Sequence, residues 1–410
     1  MKPVVLILST YPFAEPRHGG QVRLENIAQS YQKGGMQVES IAIYEAGGYS
    51  SSALGKRDIP FPATSAYRNY CGTSAALISD LQSGRYGAST EDGFKTVKKR
   101  LPNKIDVIHV EQPWLWPIAR RIIELPAYAQ AHLVYGSQNI EAPLKRQILH
   151  SQDYSYADVI SDEIDTLEKE ACIQADLVFA VTQSDCEVLQ NWGGKKVILA
   201  ENGISPWYAD QSKIDEWAKK LPSTPWLLYV ASAHPPNYEG FAECLGNSLG
   251  CFPPDSRLVI AGSVSDYIQR DFSGTRWHTL NSSRLQLLNV LSDEDLAAVK
   301  ILAHGFLLPI THGGGSNIKT PEALYSGAYV IGSELAFRGF EAYTDMVQVR
   351  VARNPAQFHE SIREVLAAPR RTVSAEESDG PQRASLTWDV RLAGIPAAVS
   401  EIIRTTKENK

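Results

Sequence analysis

Residues 305–333 read GFLLPITHGGGSNIKTPEALYSGAYVIGS, and this stretch decides the fold. An apolar run is followed by a loop with three consecutive glycines, then by a helix-like segment with Pro321 at its predicted first position, and then by a second apolar run. Glycine loses more chain entropy on ordering than any other residue, so three in a row indicate that the loop holds something closely. Strand, glycine loop, helix and strand in this order predict a βαβ unit, which joins two parallel strands.

The same alternation recurs along the chain in two series of apolar runs, separated by helix-length segments. Strands that alternate with helices predict parallel sheets covered on both faces, so two series predict two doubly wound α/β domains. The strand-like runs are 4–8, 38–44, 105–110, 132–139 and 176–182 in the first series, and 226–232, 257–262, 285–290, 305–310 and 329–333 in the second.

Domain boundaries follow from the prolines at positions 206, 222 and 225, which interrupt the pattern between the two series. We predict an N-terminal domain over residues 1–205 and a C-terminal domain over residues 206–387, with a final helix over about 388–410. Residues 47–100 give a weaker, turn-rich pattern, which predicts an elaborated helical insertion.

The composition of the 410 residues, with 43% hydrophobic and 21% charged side chains, is that of a globular protein with large cores. A net charge of -6 argues against a protein that mainly coats nucleic acid. Five cysteines without C-x-x-C spacing predict neither a disulfide framework nor a zinc site, and favour a reducing cytoplasm. We expect no secretory signal in the short run 4–8, and no membrane span, because no run reaches about 18 apolar residues.

The loop of residues 311–320 lies at the carboxyl end of a predicted strand, where ligands bind in open α/β sheets. The following helix start presents unpaired N–H groups, and Lys319 adds a full positive charge beside them. These features predict a phosphate or diphosphate site. The alternative is that the glycines only make a flexible connection and that Glu322 complements the helix dipole.

Candidate residues also lie at the end of the predicted strand 105–110. Glu111 stands where active-site groups cluster, and an unpaired buried carboxylate would be costly. His109 is a second candidate, with a hydrogen-bonded core histidine as the alternative. Trp114 either lines a sugar-binding cleft or packs in the core. The basic run KTVKKR at 95–100 is either a solvated helix face or a membrane-surface patch.

Taken together, these elements resemble the family-4-type glycosyltransferases, which have the two-Rossmann-domain GT-B fold. The stretch GGGSNIKTPEALYSGAYVIGS is similar to the family's glycine loop, basic residue, glutamate-bearing helix and following strand. Several stretches in family order are more specific than one glycine motif. The others are HGGQVRLENIAQSYQKGG at 18–35, IDVIHVEQPW at 105–114, GSQNIEAPL at 136–144, EKEACIQADLVFAVTQSDCEVL at 168–189, AENGIS at 200–205 and ASAHPPNYEGF at 231–241.

The resemblance implies an α/β protein with two Rossmann-like, doubly wound parallel-sheet domains facing a central cleft, its final helix packing back on the first domain. It implies a hexosyltransferase-type enzyme that moves a sugar from a nucleotide-diphosphate donor to a glycan or lipid-linked acceptor, with retention, in bacterial polysaccharide or glycolipid synthesis. The first domain would take the acceptor and the second the nucleotide sugar. We expect a cytoplasmic protein, or one with peripheral contact at the inner membrane face, and no nucleic-acid partner.

Residue roles are also implied by the resemblance. Glu322 would accept hydrogen bonds from the ribose hydroxyls, and Lys319 with nearby amides would neutralise the diphosphate. No Asp-x-Asp pair lies in the setting of a metal–diphosphate clamp, so we expect no metal and no cofactor. The implied donor-binding residues are Gly19, Gly20, Asn202, His234, Asn237, Gly314, Gly315, Ser316, Asn317, Lys319 and Glu322, the acceptor-side residues are Arg23, Trp114, Gln138 and Asn139, and the catalytic residues are Glu111 and His109.

Some positions depart from the family pattern. Gly314 stands where the family has a first glutamate, and Glu111 and Gln138 stand where it has histidines. The family's Arg–Lys phosphate pair is not visible. Either Lys319 carries more of the phosphate charge, or an arginine such as Arg338 comes in from another loop.

These departures keep two further functions open. One is a catalytically degenerate subunit that binds a nucleotide sugar or glycan. The other is a nucleotide-sugar epimerase on the same scaffold, for which Glu111, His109 and His312 are the candidate acid and base groups. The sequence leaves the nucleotide base, the sugar, the acceptor and the oligomeric state undetermined.

Overall fold

The computed structural model describes residues 2–72, 76–89, 92–371 and 380–408. The chain divides into two compact units, the first comprising Met1–Asn202 with Arg391–Lys410 and the second comprising Gly203–Val390. Each unit contains one parallel sheet.

The first unit alternates between strand and helix. Its described elements are β1 (Val4–Ser9), α1 (Gly19–Lys33), β2 (Gln37–Glu45), β3 (Ile59–Phe61), α2 (Ser79–Ala88), α3 (Gly93–Arg100), β4 (Val107–Glu111), α4 (Trp116–Ile123), β5 (His132–Ser137), α5 (Glu141–Ser151), α6 (Ala157–Gln174), β6 (Leu177–Ala180), α7 (Gln183–Asn191) and β7 (Val197–Leu199). In the described part of the unit, these strands form a parallel sheet in the order β3-β2-β1-β4-β5-β6-β7. The order reverses between β1 and β4, and ligands bind at such a point in this class of sheet.

The second unit repeats this plan. Its described elements are α8 (Gln211–Lys220), β8 (Trp226–Val230), α9 (Pro235–Leu245), β9 (Arg257–Ala261), α10 (Ser265–Ser273), α11 (His278–Arg284), β10 (Leu285–Asn289), α12 (Asp293–Leu302), β11 (Gly305–Leu308), α13 (Lys319–Tyr325), β12 (Tyr329–Ser333), β13 (Val349–Ala352), α14 (Pro355–Ala367), α15 (Pro381–Ala384) and α16 (Trp388–Arg391). The described strands are parallel in the order β10-β9-β8-β11-β12-β13, which reverses between β8 and β11.

Both faces of the second sheet are buried. Leu227 and Leu258 belong to one apolar cluster, and their chain neighbours Leu228 and Val259 belong to another. Successive side chains of a strand point to opposite faces, so each cluster covers one face. Continuous apolar strands covered on both faces confirm the predicted doubly wound architecture.

Three of the described strands were not predicted, and all of them are short. The strands β3, β7 and β13 lie at edges of the two sheets. Because β3 lies within residues 47–100, part of the predicted helical insertion is sheet. The region also contains α2 and α3, while residues 73–75 and 90–91 lie outside the described part of the chain.

The predicted final helix over about 388–410 is two helices. The first is α16, and the second is α17 (Gly394–Glu408), while residues 409–410 lie outside the description. Pro396 explains the break, because its ring clashes with a helical carbonyl four residues earlier and its nitrogen donates no hydrogen bond. In the first unit α17 packs on α1, where the hydroxyl of Ser30 donates to the carbonyl of Leu392 at 3.1 Å.

The sequence predicts no disulfide framework, no zinc site and no membrane-spanning helix. Cys172, Cys186, Cys244 and Cys251 are buried free thiols. The side chain of Cys71 lies outside the description. Among the described helices, none combines the length and apolarity that a membrane crossing needs.

Gly262 allows the carboxyl ends of β8 and β9 to approach closely. Its φ is +106°, and an added Cβ would collide with the backbone oxygen of Ala231. We expect Gly262→Ala to lower the free energy of unfolding by about 2 kcal/mol or more, through backbone strain and overpacking. Urea denaturation measures this loss. Gly274→Ala is the control, since φ there is -80° and the nearest atom to an added Cβ lies at 3.6 Å. Equal losses in the two variants would contradict the prediction.

Candidate functional site

A buried charge network lies at the carboxyl end of β4 in the first unit. Glu111 is 2% exposed and accepts a 2.9 Å hydrogen bond from Nε of Arg23 on α1. Its other carboxylate oxygen lies 2.8 Å from Nε2 of His109. Nη1 of Arg23 donates to the carbonyl of Ala200 at 2.8 Å and to Oδ1 of Asn202 at 3.0 Å. The structure thus brings together four predicted site residues, Arg23, His109, Glu111 and Asn202, from three separate stretches of the sequence.

The periodicity of α1 and β4 explains how this network forms. Arg23 and Tyr31 lie two turns apart on the buried face of α1, and His109 and Glu111 lie two residues apart on one face of β4. Arg23 reaches Glu111, while the hydroxyl of Tyr31 lies 2.8 Å from Nδ1 of His109. Gly136 on β5 leaves the space, because a Cβ there would collide with the Glu111 carboxylate.

The charge state of Glu111 follows from its neighbours. Burial raises the pKa of its carboxyl, but the Arg23 guanidinium and the imidazole of His109 lower it by more than burial raises it. The pKa of Glu111 is therefore about 2. Glu111 and His109 are 2% and 0% exposed, so neither side chain offers a surface to a substrate in this conformation. Their predicted catalytic role stays a prediction, and the geometry assigns them to an internal ion-paired network that ties α1 to β4.

The two predicted donor glycines at the start of α1 differ in their surroundings. A Cβ at Gly20 would collide with the hydroxyl of Tyr11, whereas no atom lies within 4 Å of a Cβ built at Gly19. Gln138 donates to the same hydroxyl at 3.0 Å and to Glu111 at 3.2 Å. Gly20 therefore makes room for the first unit's own side chains, and the open space lies at Gly19.

The remaining acceptor-side predictions lie apart from this network. Asn139 donates to the Glu141 carboxylate at 3.0 Å, and burial raises the pKa of Glu141. Trp114 is 2% exposed. It lines a cavity of about 470 Å³ beside α2 and α6, whose rim carries the ion-paired Arg85 and Glu163. The cavity lining also includes Glu170, but most of the Trp114 surface is already covered by protein.

In the second unit, the glycine loop has a fixed backbone. Gly313 and Gly315 have φ values of +122° and +56°, which glycine adopts readily. Arg338 donates to the carbonyl of Gly313 at 2.9 Å and also to the carbonyl of Gly315. The arginine considered as a phosphate ligand therefore lies beside the loop and holds its backbone on both sides of Gly314.

The helix after the loop begins earlier than predicted. Lys319 is the first residue of α13, and Pro321 is the third rather than the first. The reason is Asn317, whose Oδ1 accepts hydrogen bonds from the backbone nitrogen of Thr320 at 2.9 Å and from its hydroxyl at 3.0 Å. The Asn317 side chain thus begins the helical turn, and the half-buried Ser316 precedes it in the loop.

Lys319 meets the loop that follows β8. Its Nζ donates to Oδ1 of Asn237, whose amide in turn donates to the carbonyl of Ser232 at 2.9 Å. Burial lowers the pKa of Lys319 to about 8, with the charge of Glu322 acting in the opposite direction. Burial, and then the Lys319 charge, also lower the pKa of His234. Among the described residues, no carboxylate lies within ion-pairing distance of Lys319.

Glu322 has a partner that motif analysis did not select. Nζ of Lys300 on α12 lies 3.1 Å from its carboxylate, and the Lys300 side chain is 9% exposed. The sequence feature that could have indicated this pair is the lysine within the apolar run LAAVKILA at 296–303. A lysine is rarely buried unless it is paired, so a buried lysine there implies a nearby carboxylate.

The described residues contain no group of three or more His, Cys, Asp or Glu side chains placed to hold a metal ion. The Asp293-Glu294-Asp295 sequence opens α12, and Asp295 accepts hydrogen bonds from Trp217 at 2.9 Å and Lys213 at 3.1 Å. The metal independence of the protein stays a prediction.

Comparison with known proteins identifies the fold. No family model and no curated protein sequence matches the chain. Sucrose-phosphate synthase from Thermosynechococcus elongatus matches 100% of each chain with a TM-score of 0.72 at 14% identity. WaaG, a glycosyltransferase involved in lipopolysaccharide biosynthesis, has a TM-score of 0.59 at 13% identity, over 97% of this chain and 99% of its own. Anabaena HepE in complex with UDP-glucose has a TM-score of 0.55 at 14% identity, over 99% and 100%.

These likenesses span both units and are all far below the identity at which activity can be transferred. They show that the chain has the GT-B fold of two Rossmann-like domains, as the sequence predicted.

The buried pair in the first unit generates a stability prediction. Glu111→Gln leaves Arg23 as an uncompensated buried charge, which costs about 3–5 kcal/mol of unfolding free energy at pH 7. Because the folded-state pKa of Glu111 is depressed to about 2, the difference should shrink as the pH falls from about 4.5 toward 2. Urea denaturation at several pH values measures it. The control is Asp165→Asn, which removes an exposed pair with Lys169 and should cost about 0.5 kcal/mol. A loss of that size for Glu111→Gln would contradict the prediction.

Lys319 should destabilise the second unit at neutral pH. Between about pH 8 and its ordinary pKa of 10.5, the unfolded chain binds a proton that the folded chain has lost, so the wild type gains stability as the pH rises. We expect Lys319→Met to be about 1–3 kcal/mol more stable than the wild type at pH 7, and this advantage to disappear by about pH 10.5. Denaturation curves across this range test the effect, with exposed Lys98→Met as the control. A less stable Lys319→Met protein at pH 7 would rule out the explanation.

Proposed function

We propose that the protein is a nucleotide-sugar-dependent glycosyltransferase whose second unit binds the donor. The observation that carries the proposal is the half-buried Lys319, whose pKa burial lowers to about 8, beside a glycine loop whose backbone carbonyls accept hydrogen bonds from Arg338. A cation that is partly removed from water and has no carboxylate within ion-pairing distance among the described residues is unfavourable, and an anionic ligand relieves that cost. The GT-B fold, shared with WaaG and with HepE bound to UDP-glucose, supports a sugar diphosphate as this anion.

The chemistry follows from where charge develops. The acceptor oxygen bonds to the anomeric carbon, the bond from that carbon to the diphosphate breaks, and a nucleoside diphosphate leaves. Lys319 and the fixed loop amides stabilise the negative charge that grows on the leaving group. Glu322, 32% exposed, accepts hydrogen bonds from the ribose hydroxyls. The proposal includes retention at the anomeric carbon and no metal, so EDTA should leave transfer unchanged.

The first unit is proposed to bind the acceptor, which is a glycan or a lipid-linked glycan in cell-surface polysaccharide synthesis. WaaG, which shares the fold, is a glycosyltransferase involved in lipopolysaccharide biosynthesis. The proposal places the protein in the cytoplasm with peripheral contact at the membrane. The exposed basic residues of α3 support that contact, because Phe94 and Val97 face inward and leave Lys98 and Lys99 outward. Vesicle co-sedimentation with and without anionic lipid tests this part of the proposal.

One observation favours a second candidate function. The burial of Glu111 and His109 suits a catalytically degenerate subunit that binds a nucleotide sugar without turnover. The same burial counts against the epimerase alternative, which needs acid and base groups at the sugar. The remaining candidate for that chemistry, His312, is paired with Glu243 at 2.9 Å.

Donor binding is tested by a thermal-shift screen with UDP-, GDP-, dTDP-, ADP- and CMP-sugars and the free nucleotides, without metal. A ligand at about 100 times its Kd adds roughly 2.7 kcal/mol of stability. We expect one nucleotide class to stabilise the wild type and Lys98→Ala, and to lose its effect in Lys319→Ala and Glu322→Ala.

The outcomes separate the candidate functions. No stabilisation by any nucleotide would contradict donor binding. Stabilisation followed by transfer to a glycan or lipid-linked acceptor supports the enzyme. Stabilisation without transfer over a broad acceptor panel supports the degenerate subunit. Full transfer activity in both Lys319→Ala and Glu322→Ala would show that the site is misplaced.

A further inference from the structure

The carboxylate proposed to bind the donor ribose is held from the protein interior by a lysine. Oε2 of Glu322 lies 3.1 Å from Nζ of Lys300. The Lys300 side chain is 9% exposed and that of Glu322 is 32% exposed, so the pair presents its carboxylate to solvent and keeps its ammonium inside. A ligand that approaches this surface meets Glu322 and does not meet Lys300.

Lys300 is itself fixed by an aromatic ring. Its Nζ lies 4.9 Å from the ring centroid of Trp207, a distance at which a cation is attracted to the ring face. Trp207 packs on Tyr325 of α13 with ring centroids 4.9 Å apart. The guanidinium carbon of Arg383 lies 4.0 Å from the centroid of the Tyr325 ring. The helix α13 therefore carries both Glu322 and Tyr325, the ring on which Trp207 packs. This arrangement gives one oxygen of the carboxylate a defined position.

We propose that Lys300 is a positioning residue that sets ribose recognition through Glu322 without touching the nucleotide. The inference rests on the proposed function, in which Glu322 accepts hydrogen bonds from the ribose hydroxyls. With Oε2 held by Lys300, Oε1 and the free lone pairs of Oε2 remain available to two neighbouring hydroxyls. The preference for a ribonucleotide over its 2′-deoxy form then depends on Lys300, whereas Lys319 contributes equally to the affinity for both forms.

The test is isothermal titration of UDP, GDP and ADP and of their 2′-deoxy forms into the full-length protein. The wild type should bind a ribonucleotide about tenfold more tightly than its 2′-deoxy form, the size expected for one hydrogen bond to a charged group. Lys300→Met should bring this ratio close to one, and Lys300→Arg, which keeps the charge, should restore part of it. Lys319→Ala should weaken both forms and leave the ratio unchanged.

A double variant separates positioning from a general loss of structure. If Lys300 acts through Glu322, Lys300→Met should change the ratio no further in a Glu322→Gln background. Met suits the buried side of α12, where Ala297 lies one turn before Lys300, and Lys300→Gln is the second variant if Lys300→Met does not fold. Circular dichroism and thermal unfolding of each variant report folding.

Each result has one meaning. No binding of UDP, GDP or ADP by the wild type would overturn this inference, and no stabilisation by any nucleotide in the thermal-shift screen would overturn the proposed function as well. Binding by the wild type with a ratio of one, or an unchanged ratio in Lys300→Met, would overturn the inference alone. A further change in the ratio when Lys300→Met is added to Glu322→Gln would show that Lys300 acts by another route.

Discussion

The site in the second unit depends on one unfavourable interaction, a lysine ammonium partly removed from water with an amide oxygen as its hydrogen-bond partner. Lys319 contacts Asn237 and, among the described residues, no carboxylate within ion-pairing distance. Burying a charge in this way lowers stability, so the surrounding structure must hold the lysine in place. The side-chain bonds of Asn317 to the first turn of α13 and the Arg338 bonds to the glycine loop supply that rigidity.

In the first unit, by contrast, the buried charges are paired with each other. Arg23 and Glu111 neutralise each other at 2.9 Å, and His109 satisfies the second carboxylate oxygen. Nη2 of Arg23 is buried without a hydrogen-bond partner among the described residues. The charges of the pair are nevertheless neutralised, so the network holds α1 against β4 and has little remaining attraction for a charged ligand. The two units thus differ in whether their buried charge is satisfied internally. This difference makes Lys319, and not Glu111, the residue that most needs an external partner.

The interior strands were predictable because strands covered on both faces read as unbroken apolar runs. The edge strands β7 and β13 were missed because they are short and partly exposed. The glycine loop, Lys319 and Glu322 follow from local sequence. The pairing of Arg23 with Glu111 does not, because 88 residues separate them and only the packing of α1 on β4 brings them together. Lys300 was missed for the same reason, since its role depends on a carboxylate 22 residues further along the chain.

The burial of Glu111 and His109 also constrains how the proposed transfer proceeds. No side chain of β4 is open to take the proton of an acceptor hydroxyl in this conformation. In the proposed retaining transfer the acceptor attacks on the face from which the diphosphate leaves, and the departing phosphate oxygen would take that proton. Such a reaction needs a cation that stabilises the diphosphate as its bond breaks. With a pKa of about 8, Lys319 is charged at neutral pH and meets this need. In the proposed mechanism the protein would supply the electrostatic stabilisation and the donor would supply the base, so the proposed retention depends on the charge of Lys319.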